Sequence, residues 1–135
     1  MTDIELLKTS LKSAMAVYQN VLDNETDCIT NIATKLGDIL EAGGTIYLCG
    51  NGGSAADSQH FAAEFVSAFS RDLKRPGLPA IALTVDTSVL TAYSNDFGFD
   101  GVFARQVEAL GKAGDILIVL STSGSSKNCI QAVQM

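Results

Sequence analysis

Thr45-Ile46-Tyr47-Leu48-Cys49-Gly50-Asn51-Gly52-Gly53-Ser54 decides how the rest of this chain is read. Thr45 to Leu48 is β-branched and aromatic, as a buried strand should be. From Ser54 to Phe69 the chain is rich in alanine and repeats its aromatics at helical spacing. Strand, glycine turn and helix start together make an anion site. Glycines let backbone N–H groups come close, and the helix N-terminus adds partial positive charge. The ligand this predicts is a phosphate.

The arrangement recurs downstream. Asp115 to Leu120 reads as a second buried strand and runs into Ser121-Thr122-Ser123-Gly124-Ser125-Ser126, ahead of another helix start. Five hydroxyls around one glycine can grip phosphate oxygens through side-chain and backbone donors together. A single such loop is also ordinary turn chemistry. Two of them on one parallel sheet point to a ligand, because open α/β sheets bind at the C-terminal ends of their strands.

Working outward, Thr2 and Glu5 predict a capping box, followed by Ile4, Leu7, Leu11, Met15, Tyr18 and Leu22 at steps of three and four. A break at Asp23-Asn24 precedes a second helix striped by Ile29, Ile32, Leu36 and Leu40, which stops before Gly43-Gly44. These helices precede any strand. Their apolar faces are buried either against another subunit or on the first strand's face. After the first loop helix, Arg71 to Pro79 reads as a charged loop, with Arg71, Lys74 and Arg75 solvated. Ala80 to Leu83 is a middle strand, Thr84 to Ser88 offer N-caps for a short helix, and Asn95 to Asp100 read as a turn-rich loop. Val102, Phe103, Val107 and Leu110 stripe a further helix. Strand and helix alternate three times, which calls for a parallel sheet with right-handed crossovers. Three strands make a thin sheet with a free edge. The expectation is a single α/β domain over 1–135, cut before its last strands.

Composition narrows the function. The chain has 135 residues, 47% of them hydrophobic, and a net charge of −6. An acidic surface excludes nucleic acid as the natural partner, and an anionic ligand must be held by local donors rather than by the overall field. Cys28, Cys49 and Cys129 have neither metal nor redox spacing and read as buried thiols of a reducing cytosol. No apolar run is long enough to span a bilayer. The expected location is cytoplasmic.

His60 and Glu64 stand four apart on the helix that begins at the first loop, so they share a face, within two turns or so of the phosphate site. Three readings stand: an exposed pair of little consequence, a carboxylate base with a neighbouring imidazole, or two ligands of a zinc site. Asp57, a turn earlier, reads as a first-turn acid that favours the helix dipole.

Cys-Gly-Asn-Gly-Gly-Ser-Ala-Ala-Asp at 49–57, His-Phe-Ala-Ala-Glu at 60–64, Arg-Pro-Gly-Leu-Pro-Ala-Ile-Ala-Leu at 75–83 and Asn-Asp-Phe-Gly-Phe at 95–99 resemble the phosphoheptose isomerase family. Ala-Arg-Gln-Val-Glu-Ala-Leu-Gly at 104–111 and Ser-Thr-Ser-Gly at 121–124 do so too. This family lies within the sugar-isomerase (SIS) domain superfamily. The resemblance implies a three-layer, flavodoxin-like parallel sheet with N-terminal helices, a homotetramer, and active sites where subunits meet. The implied reaction converts sedoheptulose 7-phosphate to D-glycero-D-manno-heptose 7-phosphate for bacterial heptose and lipopolysaccharide synthesis. It further implies substrate contacts at Asn51, Gly52, Gly53, Ser54, Asn95 and Asp96, and phosphate held by Ser121, Thr122, Ser123 and Ser126. Glu64 is implied as the catalytic carboxylate that also meets substrate, assisted by His60. His60 and Glu64 are implied as zinc ligands in the members that bind zinc.

Two departures stand out. The family pattern continues into a C-terminal part carrying a Gln and a His that complete the acid–base and metal set, a part absent from these 135 residues, so half an active site is expected here. Ser67-Ala68 stands where many members have Gly-Arg. Two rival functions remain: a non-catalytic SIS protein that binds the replication initiator or senses a sugar phosphate, and a dinucleotide-binding domain. Glu64 favours the enzyme over the first. The strand-end acid, Asp86, lies too far past the glycines for the second, which also leaves the Ser/Thr loop without a role.

Overall fold

A computed structural model describes residues 1–135. Contacts divide the chain into two compact units, Met1–Gly37 and Asp38–Met135. In the first, α1 (Asp3–Asn24) begins at the expected capping box: the Thr2 N–H donates to Glu5 Oε2 at 2.7 Å and the Glu5 N–H donates to Thr2 Oγ1 at 3.3 Å. No residue of α1 is buried, and the stripe Ile4, Leu7, Leu11, Met15, Tyr18 and Leu22 is exposed along its whole length. α2 (Thr26–Glu41) follows after Glu25. Cys28 is exposed here, which corrects its reading as a buried thiol: it sits in the first turn of a helix that buries only Leu36.

The second unit carries the sheet. β1 (Ile46–Gly50), β2 (Ala80–Ala82) and β3 (Ile116–Leu120) are all parallel, in the order β2-β1-β3. β1 is central and buried at every position. Its side chains alternate between faces. Tyr47 and Cys49 join Leu83, Val102, Phe103, Cys129 and Ala132 in one core cluster. Ile46 and Leu48 face the other way, toward α3 (Gly53–Val66), which packs on β1 and β2. On the first face α5 (Val102–Leu110) packs against α6 (Lys127–Gln134). Helix, sheet and helix pair make the expected three layers.

Several details differ from the sequence reading. β3 is half-buried throughout rather than buried, because it lies at a sheet edge with one flank unpaired. Asp115 stands outside it. Its carboxylate accepts the Thr45 N–H at 2.7 Å and the Lys112 N–H at 2.8 Å, tying the starts of β1 and β3 together. α3 stops at Val66, short of Phe69, where Ser67 leaves helical geometry at φ −92°, ψ −98°. Asn95, Asp96 and Phe97 form the last turn of α4 (Thr87–Phe97) instead of a loop. The Asp86 carboxylate caps that helix by accepting the Val89 N–H at 3.0 Å, and Gly98, at φ +88°, ends it.

Candidate active site

Parallel pairing sets the geometry of the site. Gly50 is in register with Leu120, so the residues that follow, Asn51 and Ser121, leave the sheet side by side at the same end. The loop Asn51-Gly52-Gly53 and the loop 121–126 are therefore neighbours, each leading into a helix N-terminus. The first N–H groups of such helices have no intrahelical acceptor and carry partial positive charge. Together they suit a phosphate dianion.

Two glycines have steric reasons to be there. A Cβ on Gly50 would lie 2.7 Å from the Leu120 carbonyl oxygen and 2.8 Å from Ser54. This is the close approach that brings the two loops together. Gly52, at φ +56°, occupies the left-handed region as N-cap of α3.

The hydroxyl loop folds on itself. Ser121 Oγ accepts the Gly124 N–H at 3.2 Å and lies 3.4 Å from Ser126 Oγ, and Ser123 Oγ accepts the Ser125 N–H at 3.2 Å. Ser123 keeps its proton to donate to a ligand, as does whichever of Ser121 and Ser126 accepts from the other. Ser126 is the N-cap of α6 with its side chain unused in capping, and Thr122 and Ser123 are exposed.

Asn128, which sequence reasoning missed, joins the loops. It is buried, and its amide exchanges two hydrogen bonds with that of Asn51. Its Oδ1 also accepts the Cys129 N–H at 2.9 Å. Nothing in the local pattern distinguishes this Asn from an exposed one near a helix start. Only the parallel register places it opposite Asn51.

His60 and Glu64 do share a face, with His60 Nε2 3.6 Å from Glu64 Oε1. The histidine side chain is 79% exposed, the glutamate 29%. Glu64 Oε2 is buried without a hydrogen-bond partner, a costly state for a carboxylate oxygen unless something else meets it. The pair lines a cleft of about 430 Å³ with Asp57, Arg75 and an apolar wall of Phe61, Phe65, Phe69 and Leu78. Helical rise corrects one expectation: Glu64 lies eleven residues along α3 from Gly53, about 16 Å or three turns away, beyond the two turns expected.

Arg75 also departs from the reading of a solvated loop. Its guanidinium is half-buried and donates to the backbone carbonyls of Glu64 and Phe65. Arg71 and Lys74 are exposed, as expected. Asn95 and Asp96 bond each other at 2.8 Å and make no hydrogen bond to either loop. Their connection does approach the hydroxyl loop's helix, since Asp100 Oδ2 lies 3.6 Å from Lys127 Nζ at the start of α6. No group of three or more His, Cys, Asp or Glu is gathered as a metal site, so His60 and Glu64 stand as a pair.

Comparison with known proteins places this geometry in a family. An SIS domain model matches residues 11–135. A phosphoheptose isomerase from Roseiflexus sp. is 52% identical over 124 residues, covering 92% of this chain and 62% of that protein. One from Chlorobaculum parvum is 47% identical over 130 residues, 96% of this chain and again 62% of the relative. The structure of phosphoheptose isomerase from Neisseria gonorrhoeae superposes with a TM-score of 0.90 at 44% identity, over 98% of this chain and 68% of that one. The chain therefore belongs to the SIS domain family and, within it, to the phosphoheptose isomerase family. It spans 62% of the length of those two curated relatives.

Proposed function

We propose that the protein is an aldose–ketose isomerase that interconverts sedoheptulose 7-phosphate and D-glycero-D-manno-heptose 7-phosphate, in the cytoplasm, as the first step of bacterial heptose synthesis for lipopolysaccharide. The observation that carries this reading is the buried, unpartnered Glu64 Oε2 on the same helix whose start adjoins the phosphate-type loops.

An aldose–ketose isomerisation moves a proton between adjacent carbons through an enediolate, so it needs a base at carbon and an acid at oxygen. Glu64 supplies the base, and His60 supplies the acid or relays the proton. Ser121, Thr122, Ser123 and Ser126 hold the phosphate, helped by the N–H groups at the starts of α3 and α6. Asn51, Gly52, Gly53, Ser54, Asn95 and Asp96 contact the sugar. A seven-carbon chain phosphorylated at C7 carries its reacting carbons, C1 and C2, at the opposite end. The base therefore belongs away from the phosphate loop, further along the helix, α3, that starts beside it.

His60 and Glu64 also fit as two ligands of a zinc ion, by donor type, spacing and the unpartnered carboxylate oxygen. Zinc bound there would polarise the substrate oxygen and stabilise negative charge. Self-association into a homotetramer, with sites completed where subunits meet, is supported by the exposed apolar stripe of α1.

The test is direct. Purified protein is incubated with sedoheptulose 7-phosphate and the aldose product is followed by NMR. Appearance of the aldoheptose 7-phosphate supports the reading, and its absence alongside tight sugar-phosphate binding favours a non-catalytic SIS protein.

A further inference from the structure

The Glu64 carboxylate is not fixed by its own bonds. Oε2 has no hydrogen-bond partner, and Oε1 has only a largely exposed histidine at 3.6 Å. Its place in the cleft is therefore inherited from the backbone beneath it, and that backbone is the last turn of a helix, where carbonyls lack intrahelical donors and ends fray. Here the turn is gripped. Arg75 Nη2 donates to the Glu64 carbonyl at 2.6 Å, while Nη1 donates to the Phe65 carbonyl at 2.8 Å and to the Pro76 carbonyl at 2.9 Å. The Leu78 N–H adds a bond to the Phe65 carbonyl at 3.0 Å. Gly77 lies so close that a Cβ there would sit 2.8 Å from the Val66 carbonyl oxygen.

We infer that Arg75 is a positioning residue for Glu64: by clamping the carbonyls at the end of α3 it sets where the carboxylate stands in the cleft. The inference rests on Glu64 being the base, as proposed above. A planar guanidinium presents several donors in a fixed fork, which suits adjacent carbonyls better than an ammonium does. Its charge also complements the negative end of the helix. It forms no ion pair with the Glu64 side chain, so the carboxylate stays free for substrate.

The experiment measures kcat and KM for sedoheptulose 7-phosphate in the intact protein carrying Arg75→Lys or Arg75→Gln, each alone and together with Glu64→Asp. Thermal melting of each variant establishes the folded fraction. Misplacing a reacting group by about 1 Å costs on the order of a hundredfold. The expected result is a roughly tenfold to hundredfold fall in kcat per folded site for both Arg75 variants, with KM nearly unchanged because the phosphate loop is untouched. In the Glu64→Asp background, where the carboxylate is already displaced, the same change should cost much less. Unaltered kcat in folded Arg75→Lys and Arg75→Gln overturns the inference, and so does a loss of equal size in both backgrounds. Should Arg75→Gln fail to fold, Arg75→Lys decides by the same two criteria. Full turnover by Glu64→Gln would remove the assignment of the base itself, an outcome distinct from either of these.

Discussion

Asn51 and Asn128 exchange two amide hydrogen bonds across 77 positions of sequence, 2.9 Å in one direction and 2.8 Å in the other. One stands just after the central strand, the other in the first turn of α6. The pair fixes the distance between the two loops that would hold the phosphate.

Asn128→Ala leaves the Asn51 amide without its partner in a half-buried setting, which costs about 1–3 kcal/mol. Urea denaturation should register that loss. Calorimetry should show weaker sugar-phosphate binding at a temperature where the variant is still folded. Wild-type affinity in the variant would mean that the loops hold their spacing without the amide pair.

The hydroxyl loop carries the next expectation. Ser121→Ala and Ser123→Ala each remove a donor to a charged ligand, worth about 1.5–3 kcal/mol. Affinity for sugar phosphate measured by calorimetry should fall roughly tenfold or more in each. Ser121→Ala should also lose some stability, since Ser121 Oγ accepts the Gly124 N–H.

Gly50 should tolerate no side chain. A methyl group there meets the Leu120 backbone at 2.7 Å and Ser54 at 2.8 Å, and neither contact can be relieved by rotating a side-chain end. Gly50→Ala should destabilise by about 1–3 kcal/mol or more, read as a lowered urea midpoint. A neutral result would mean that β1 and α3 can part without cost.

The cysteines offer a pH test. Burial, with Cys129 as neighbour, pushes the Cys49 thiol up to about 12, whereas in the unfolded chain a thiol ionises near pH ~8.5. The folded state thus keeps a proton that the unfolded state releases. Stability from this group is complete below pH ~8.5 and is lost progressively as pH rises toward 12. Cys49→Ala should flatten that decline in a melting series. Thiol labelling of the native protein should modify exposed Cys28 quickly and buried Cys49 and Cys129 slowly.

Much of this was legible in the residues. Thr45 to Leu48 announced a central strand by its β-branched and aromatic run, and Thr2 with Glu5 announced a helix start by side chains that cap it. Such signals are local: a few neighbouring residues carry them. What stayed hidden depended on distant partners. Asn128 matters because the register of β1 and β3 brings it to Asn51, and Arg75 because the chain after α3 doubles back onto its last turn. Asn95 and Asp96 were misread because Asn and Asp favour turns, yet the Asp86 cap and the Gly98 stop carry the helix through them. For Glu64, spacing gave the shared face with His60 and left the burial of Oε2 unseen.

The measurement that tests the account most directly is turnover of sedoheptulose 7-phosphate by Glu64→Gln in the intact protein. Glutamine keeps the shape and the hydrogen-bonding capacity but cannot take a proton from carbon. Turnover should fall by roughly 10²–10⁴-fold, the range for a positioned general base, while calorimetry still detects the sugar phosphate in the hydroxyl loop. Isomerisation at the wild-type rate would contradict the assignment of Glu64 and with it the mechanism.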